Sequence, residues 1–306
     1  MVGMTNINKT VVVLGATGQQ GGSVASALRA DGWGVRAVVR DPSGHRARSL
    51  SASGVETVRG DLGDPESLRA AFADAHGVFS VQPNSGQAGV DVTNEDEVRF
   101  GTAVADIAER CGVAHLVYSS AVTAGSTTGV DHLDTKSRIE AHVRDLDIAS
   151  TIIRPATFME LVVTPEMGLD RGRLSFLMRP DQAMQFIAVR DIGRIVAAVF
   201  GSPESYAGRT MEIAGDALTG NALAGHLAQA AGRPISYSRL PAQDEVLSKL
   251  EALVDDGRLV GDANLDGLRT DFPFLLRFDR WLAGPGAGLL DEALRSTDTD
   301  TGIAPR

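Results

Sequence analysis

The sequence predicts an α/β chain wound around a parallel sheet, and three observations carry that expectation. Thr10-Val-Val-Val-Leu-Gly15 is β-branched and apolar throughout, as a central strand covered on both faces requires. Gly15, Gly18 and Gly21 then punctuate a turn that leads straight into a helical stretch from about Gln19 to Ala30. From there to about Arg154, short apolar strands alternate with helical segments at the period of α/β winding.

Taken in order, Val35 to Val39 makes the second strand, closed by Asp41-Pro42-Ser43-Gly44, and Glu56 to Val58 makes the third. A helix from about Pro65 to Ala73 precedes a fourth strand from Gly77 to Val81. A polar loop from Gln82 to Asn94 leads to Val98, Val104, Ala105, Ile107 and Ala108 at helical spacing, and His115 to Ser119 is the fifth strand. A helix from about Leu133 to Leu146 and a sixth strand at Thr151 to Arg154 complete the regular part. Beyond Pro155 the alternation is irregular. Ile187 ends a strand, Val189 to Phe200 reads as a helix with Asp191 near its N-cap, and Thr210 to Ala214 reads as one more strand. Asn221 to Ala231 and Ala242 to Asp255 are helical in pattern, while Trp33, Trp281 and the phenylalanines from Phe272 to Phe278 are expected in the core. The expected architecture is a Rossmann-type doubly wound parallel sheet with a smaller, mainly helical C-terminal cap. Residues 1–154 form the Rossmann domain, 155–295 the cap, with about 187–214 returning to the sheet, and 296–306 a flexible tail.

Among the 306 residues, 29 Lys+Arg stand against 39 Asp+Glu, a formal charge of -10. Such a chain repels a phosphate backbone or an anionic membrane over much of its surface, so neither direct nucleic acid nor a membrane is an expected partner. Cys111 is the only cysteine, which rules out an intramolecular disulfide and a cysteine-rich metal site and fits a cytoplasmic location. No run approaches the roughly 20 apolar residues of a bilayer-spanning helix. The Thr10 to Gly15 run passes at once into the glycine turn, without the cleavage site of a signal peptide. No Gly-x-Ser-x-Gly elbow or His-Glu-x-x-His helix occurs and the six histidines are scattered, so no metal is expected.

The chemistry is carried first by Gly15-Ala-Thr-Gly18-Gln-Gln-Gly21. The first glycine permits the tight turn, the middle one lets backbone N–H groups approach a pyrophosphate, and the third lets the helix pack close to the sheet. Exposed N–H groups and the positive helix end then hold negative charge, so a dinucleotide cofactor is expected. At the end of the second strand stands Arg40, a cation suited to a 2′-phosphate, which points to NADP(H). Asp41 beside it suits the free ribose hydroxyls of NAD(H) and keeps that cofactor open. Asp61, just after the third strand, reads either as a carboxylate at the adenine edge or as a simple turn aspartate.

These residues resemble the NmrA-like family, a group of atypical short-chain dehydrogenase/reductase proteins. The resemblance rests on Gly15-Ala-Thr-Gly-Gln-Gln-Gly-Gly22, Val38-Val-Arg40-Asp41, Gly60-Asp-Leu62, Gln82-Pro83, Glu97-Val-Arg99 and Tyr118-Ser-Ser120. It is carried further by His132-Leu-Asp-Thr-Lys136, Ile153-Arg-Pro-Ala-Thr-Phe-Met159 and Val189-Arg-Asp-Ile-Gly193, and covers most of the chain to about Ala214. It implies that Gly15, Thr17, Gly18, Gln19, Gln20 and Arg40 hold the phosphates and that Asp61 and Leu62 border the adenine. Gln82 and Asn84 would pass beside the ribose, Lys136 would reach the nicotinamide ribose, and Thr157, Phe158 and Met159 would border the nicotinamide end. Arg99 would sit near the phosphates, or else is a solvated helix residue.

A short-chain dehydrogenase ordinarily carries Tyr-x-x-x-Lys, in which one helical turn brings an acid/base tyrosine and a lysine onto one face. Here His132 stands four residues before Lys136, and none of Tyr118, Tyr206 or Tyr237 has that spacing. His132 is a candidate proton donor beside Lys136, since imidazole titrates near neutral pH; the bland alternative is a structural histidine held by Asp131 and Asp134. Ser119 and Ser120 end the fifth strand, where they either bind a substrate oxygen or cap the following loop.

Two functions follow. One is an NADPH-dependent reductase passing hydride to a quinone or other conjugated carbonyl small molecule in a cleft between sheet and cap. The other is a non-catalytic NADP(H) sensor that acts through a protein partner docked on the C-terminal third. The reductase is preferred, because the cap is long enough to close a small-molecule pocket.

Overall fold

The computed structural model describes residues 9–86 and 91–295. Seven strands form one parallel sheet: β1 (Thr10–Val13), β2 (Gly34–Val39), β3 (Glu56–Arg59), β4 (Gly77–Ser80), β5 (His115–Ser119), β6 (Ser150–Pro155) and, after an excursion into the cap and the short helix α7 (Pro203–Tyr206), β10 (Thr210–Ile213). Their order is β10-β6-β5-β4-β1-β2-β3, so the winding reverses between β1 and β4. In such sheets ligands gather at the carboxyl ends of the strands at that reversal. The alternation of side chains along β1 explains the double cover. Val11 and Val13 enter the core beneath α1 (Gln19–Ala30) and α6 (Val189–Gly201). Val12 and Leu14 enter the opposite core beneath α3 (Pro65–Phe72), α4 (Asn94–Arg110) and α5 (Asp131–Asp145). A further helix, α2 (His45–Ala52), had no apolar period to announce it, since Ala47 is its one buried residue.

Helices α1 and α6 touch closely because Gly193 has no side chain: a Cβ there would collide with the Ser23 carbonyl and hydroxyl. Asp191 stands near the N-cap of α6, as expected, three residues inside it. The N-cap is Ala188, and the Glu160 carboxylate accepts the Val189 N–H at 3.1 Å, which leaves Asp191 inside the first turn. Fully buried there, Asp191 accepts the Leu276 N–H at 2.8 Å and so ties α6 to the C-terminal segment.

The C-terminal part has its own core around Met159, Leu174, Phe186, Leu227, Phe278 and Trp281. Besides α8 (Gly220–Ala231), α9 (Glu245–Asp255), α10 (Leu265–Asp271), α11 (Phe278–Leu282) and α12 (Ala287–Arg295), it holds two small sheets. One joins β11 (Asp216–Thr219), β9 (Ala183–Ile187) and β7 (Thr157–Phe158); the other joins β12 (Ser236–Arg239) and β8 (Arg173–Phe176). Trp33, Trp281, Phe272 and Phe278 are buried as expected. The expected tail, 296–306, lies outside the described residues. No described helix is long and apolar enough to cross a membrane.

Candidate functional site

The glycine turn sits between the carboxyl ends of β1 and β4. Gly15 has φ +64°, and a Cβ on it would stand 2.9 Å from Val81 Cγ1. The Gly18 N–H closes the turn on the Gly15 carbonyl at 2.8 Å. Gly21 lies so near that carbonyl that a Cβ would overlap it. No side chain caps α1: its N-cap is Gly18, and Gly15, Thr17, Gly18 and Gln19 are exposed. The N–H groups of Gln19, Gln20 and Gly21 in the first turn are therefore available to an anion, which suits a pyrophosphate. Gln20 faces inward, and its Oε1 accepts the Ser119 hydroxyl at 2.7 Å, which fastens the turn to the end of β5.

At the end of β2 the structure separates Arg40 from Asp41. Arg40 is exposed, and among the described residues it makes no hydrogen bond or ion pair. Asp41 Oδ1 accepts both the hydroxyl of Ser43, at 2.6 Å, and its backbone N–H, at 2.9 Å. These bonds hold its carboxyl below the usual range, with Arg48 and Arg59 adding to the effect. Asp61 likewise closes a turn, accepting the Gly63 N–H at 2.7 Å beside half-buried Leu62. Arg99 is exposed, pairs with Asp96 at 2.6 Å and lies 4.6 Å over the Phe100 ring. Phe100 in turn flanks Gly63, so Arg99 stands on the side of the Asp61 loop.

Beyond β4, Gln82 is buried; its amide donates to Ser80 Oγ at 2.8 Å, while its Oε1 has no partner. Asn84 Oδ1 accepts the Gly86 N–H at 3.0 Å, and the His132 ring packs against Gly86. Residues 87–90 of that loop lie outside the described residues. Burial lowers the His132 pKa and nearby Asp131 opposes it, so the imidazole is held toward its neutral form. Asp134 does not hold His132. It accepts the Thr128 hydroxyl at 2.7 Å and the Thr128 and Gly129 N–H groups, because the loop before α5 presents unpaired donors to it. From the cap, Arg258 donates to the Thr127 carbonyl at 3.0 Å and reaches over this loop. Thr157 and Phe158 are half-buried in β7, whereas Met159 is fully buried in the cap core behind them.

Lys136 is not free. Its ammonium meets the Glu97 carboxylate of α4, and the Thr135 hydroxyl donates to the other carboxylate oxygen at 2.8 Å. Burial pulls the lysine down to about 8, while the carboxylate in contact acts in the opposite sense and favours the charged pair. Glu97 escaped the sequence reading as a site residue, yet a signal existed: it falls in register with buried Gly101, Val104, Ala105 and Ala108 on the inner face of α4. The three tyrosines are all placed for other work. The Tyr118 hydroxyl is sealed under α5, where burial pushes its pKa well up. Tyr206 stacks on Phe272, and Tyr237 donates to the Met178 carbonyl at 2.6 Å. A groove of about 970 Å³ runs along α1 and α6 to Phe274 and Leu289; it meets the glycine turn only through Gln19 and lies off the carboxyl edge of the sheet.

The strand order and the glycine turn at its reversal define a Rossmann-type α/β protein. Within that class, the chain belongs to the NmrA-like family, whose profile matches residues 7–267. It is 32% identical over 229 residues to the NmrA-like family domain-containing oxidoreductase FrzB of Cladobotryum sp, covering 66% of this chain and 67% of that protein. It is 28% identical over 228 residues to the NAD(P)H azoreductase of Xenophilus azovorans, covering 74% and 76%. Among solved structures, NmrA, a negative transcriptional regulator in complex with NAD, has the same fold, with a TM-score of 0.78 at 20% identity over 94% of this chain and 98% of that one.

Proposed function

We propose that this protein is an NADPH-dependent reductase of a quinone or another conjugated carbonyl compound. The observation that carries the reading is the uncapped glycine turn at the β1/β4 reversal with Arg40 exposed beside it and Asp41 Oδ1 engaged by Ser43. The N–H groups of Gln19, Gln20 and Gly21 would hold the pyrophosphate, Arg40 the 2′-phosphate, and Asp61 and Leu62 the adenine edge. Gln82 and Asn84 would line the ribose path, with the unpartnered Gln82 Oε1 as an acceptor for a hydroxyl. Lys136 would meet the nicotinamide ribose, and Thr157 and Phe158 the nicotinamide end. When bound, the cofactor supplies the hydride. The chain's own part is to fix that ring against the sheet and to leave its outer face to the acceptor. A conjugated carbonyl takes its proton from solvent, so the displaced tyrosines are compatible with this chemistry and argue against alcohol oxidation. The naming of one relative as an NAD(P)H azoreductase and another as an oxidoreductase supports a reductase.

Steady-state NADPH oxidation with a panel of quinones, enones and azo compounds tests it, and no turnover above background with any of them overturns it. The second reading, a non-catalytic NADP(H) sensor acting through a protein partner, is favoured by the same displaced tyrosines and by the engagement of Lys136 with Glu97. It requires tight cofactor binding without turnover and partner recovery that changes with cofactor.

A further inference from the structure

The Glu97–Lys136 pair is built with more care than stability needs. The Glu97 side chain is 0% exposed and that of Lys136 11%, so both charges are taken out of water. Desolvation cancels most of the attraction in such a pair, and apolar residues of the same volume are often as stable or more so. The two helices that carry the pair are brought together at Gly101, where a Cβ would stand 2.6 Å from Ile139 Cδ1. Both Glu97 oxygens are occupied, one by Lys136 and one by Thr135. The ammonium, by contrast, has three N–H donors, and Glu97 is its sole acceptor among the described residues. Two donors are left on a side chain that retains 11% exposure. Lys136 also lies one helical turn from His132, whose ring packs on the loop that follows β4.

We propose that Glu97 is a positioning residue, which anchors the Lys136 ammonium so that its remaining N–H groups meet the nicotinamide-ribose hydroxyls of the bound cofactor. This rests on the NADP(H) reading above. Thr135 sets the carboxylate, the carboxylate sets the lysine, and the lysine alone touches the cofactor.

The test is calorimetric titration of the wild type, Glu97→Gln, Lys136→Met and the double variant with NADPH and with 2′,5′-ADP, which keeps the 2′-phosphate end and lacks the nicotinamide ribose. Glu97→Gln and Lys136→Met are each expected to weaken NADPH about tenfold, as for a lost hydrogen bond to a charged group. The double variant should bind no more weakly than Lys136→Met, and 2′,5′-ADP should be unaffected throughout. The proposal is overturned if Glu97→Gln leaves NADPH binding intact while Lys136→Met weakens it, if the two losses add, or if both ligands weaken alike. Thr135→Val serves if Glu97→Gln does not fold: NADPH should weaken and 2′,5′-ADP should not, and an unchanged NADPH affinity counts against the proposal. Failure of the wild type to bind either ligand would instead sink the NADP(H) reading itself.

Discussion

Asp41 and Ser43 close a turn on each other: Asp41 Oδ1 accepts the Ser43 hydroxyl at 2.6 Å and its backbone N–H at 2.9 Å. One oxygen of the carboxylate that the sequence offered to a ribose is thereby held in the turn before α2, while Arg40, beside it at the end of β2, makes no such bond among the described residues. Asp41→Ala should therefore alter the ratio of NADPH to NADH affinity by no more than about threefold, because the bonds it loses lie within the turn. Parallel calorimetric titrations check this, and a large gain or loss of NADH binding would return Asp41 to the ribose.

Gly21→Ala should damage the site and the fold together. The added Cβ would collide with the Gly15 carbonyl, a backbone atom that cannot move without opening the turn. Overpacking of this kind costs about 1–3 kcal/mol. A lower urea midpoint with sharply weakened cofactor binding is expected; a variant with unchanged midpoint and binding would contradict the close approach.

Stability should fall on mild acidification because of His115. It is buried, its Nε2 lies 2.8 Å from Thr151 Oγ1, and its Nδ1 has no partner. Burial lowers its pKa from 6.5 to about 4. A base with a depressed folded pKa is neutral in both states above the unfolded value and contributes nothing there. Between about 6.5 and 4 the unfolded chain binds the proton and the folded chain does not, so stability declines as pH falls. At ~1.4 kcal/mol per pH unit the loss reaches about 3 kcal/mol. Urea unfolding of the wild type and His115→Gln across this window should show a shallower slope for the variant; identical slopes would exclude the histidine as the cause.

His132→Gln distinguishes two sources of the proton. If solvent supplies it, kcat with a quinone should fall less than about tenfold, whereas loss of a general acid typically costs 10²- to 10⁴-fold. A loss above about 100-fold in stopped-flow or steady-state turnover would make His132 the acid.

Much of the sheet was legible because its central strands are covered on both faces. Thr10 to Val13 is a continuous β-branched run, Leu116 to Tyr118 an apolar one, and the glycines between β1 and α1 mark a turn that few other residues can make. Helix α2 was hidden because a helix that buries only Ala47 has no apolar stripe. The cap strands β7, β8, β11 and β12 were hidden because they are short, mix polar with apolar residues and lie outside the strand–helix alternation that marks the equally short strands of the main sheet. At the candidate site, the positive-φ turn at Gly15 could be read from local pattern. The Glu97–Lys136 and Ser119–Gln20 contacts could not, since each joins elements far apart in the chain and depends on how two helices or a helix and a strand meet.

The central claim is that the glycine turn and Arg40 together hold NADP(H). Calorimetric titration of the wild type and Arg40→Ala with NADPH and NADH tests it most directly. The wild type should bind NADPH about 10- to 100-fold more tightly than NADH, from a charge-assisted contact to the 2′-phosphate, and Arg40→Ala should erase most of that difference while leaving NADH nearly unchanged. Equal losses for the two cofactors, or a wild type that binds neither, would contradict the claim.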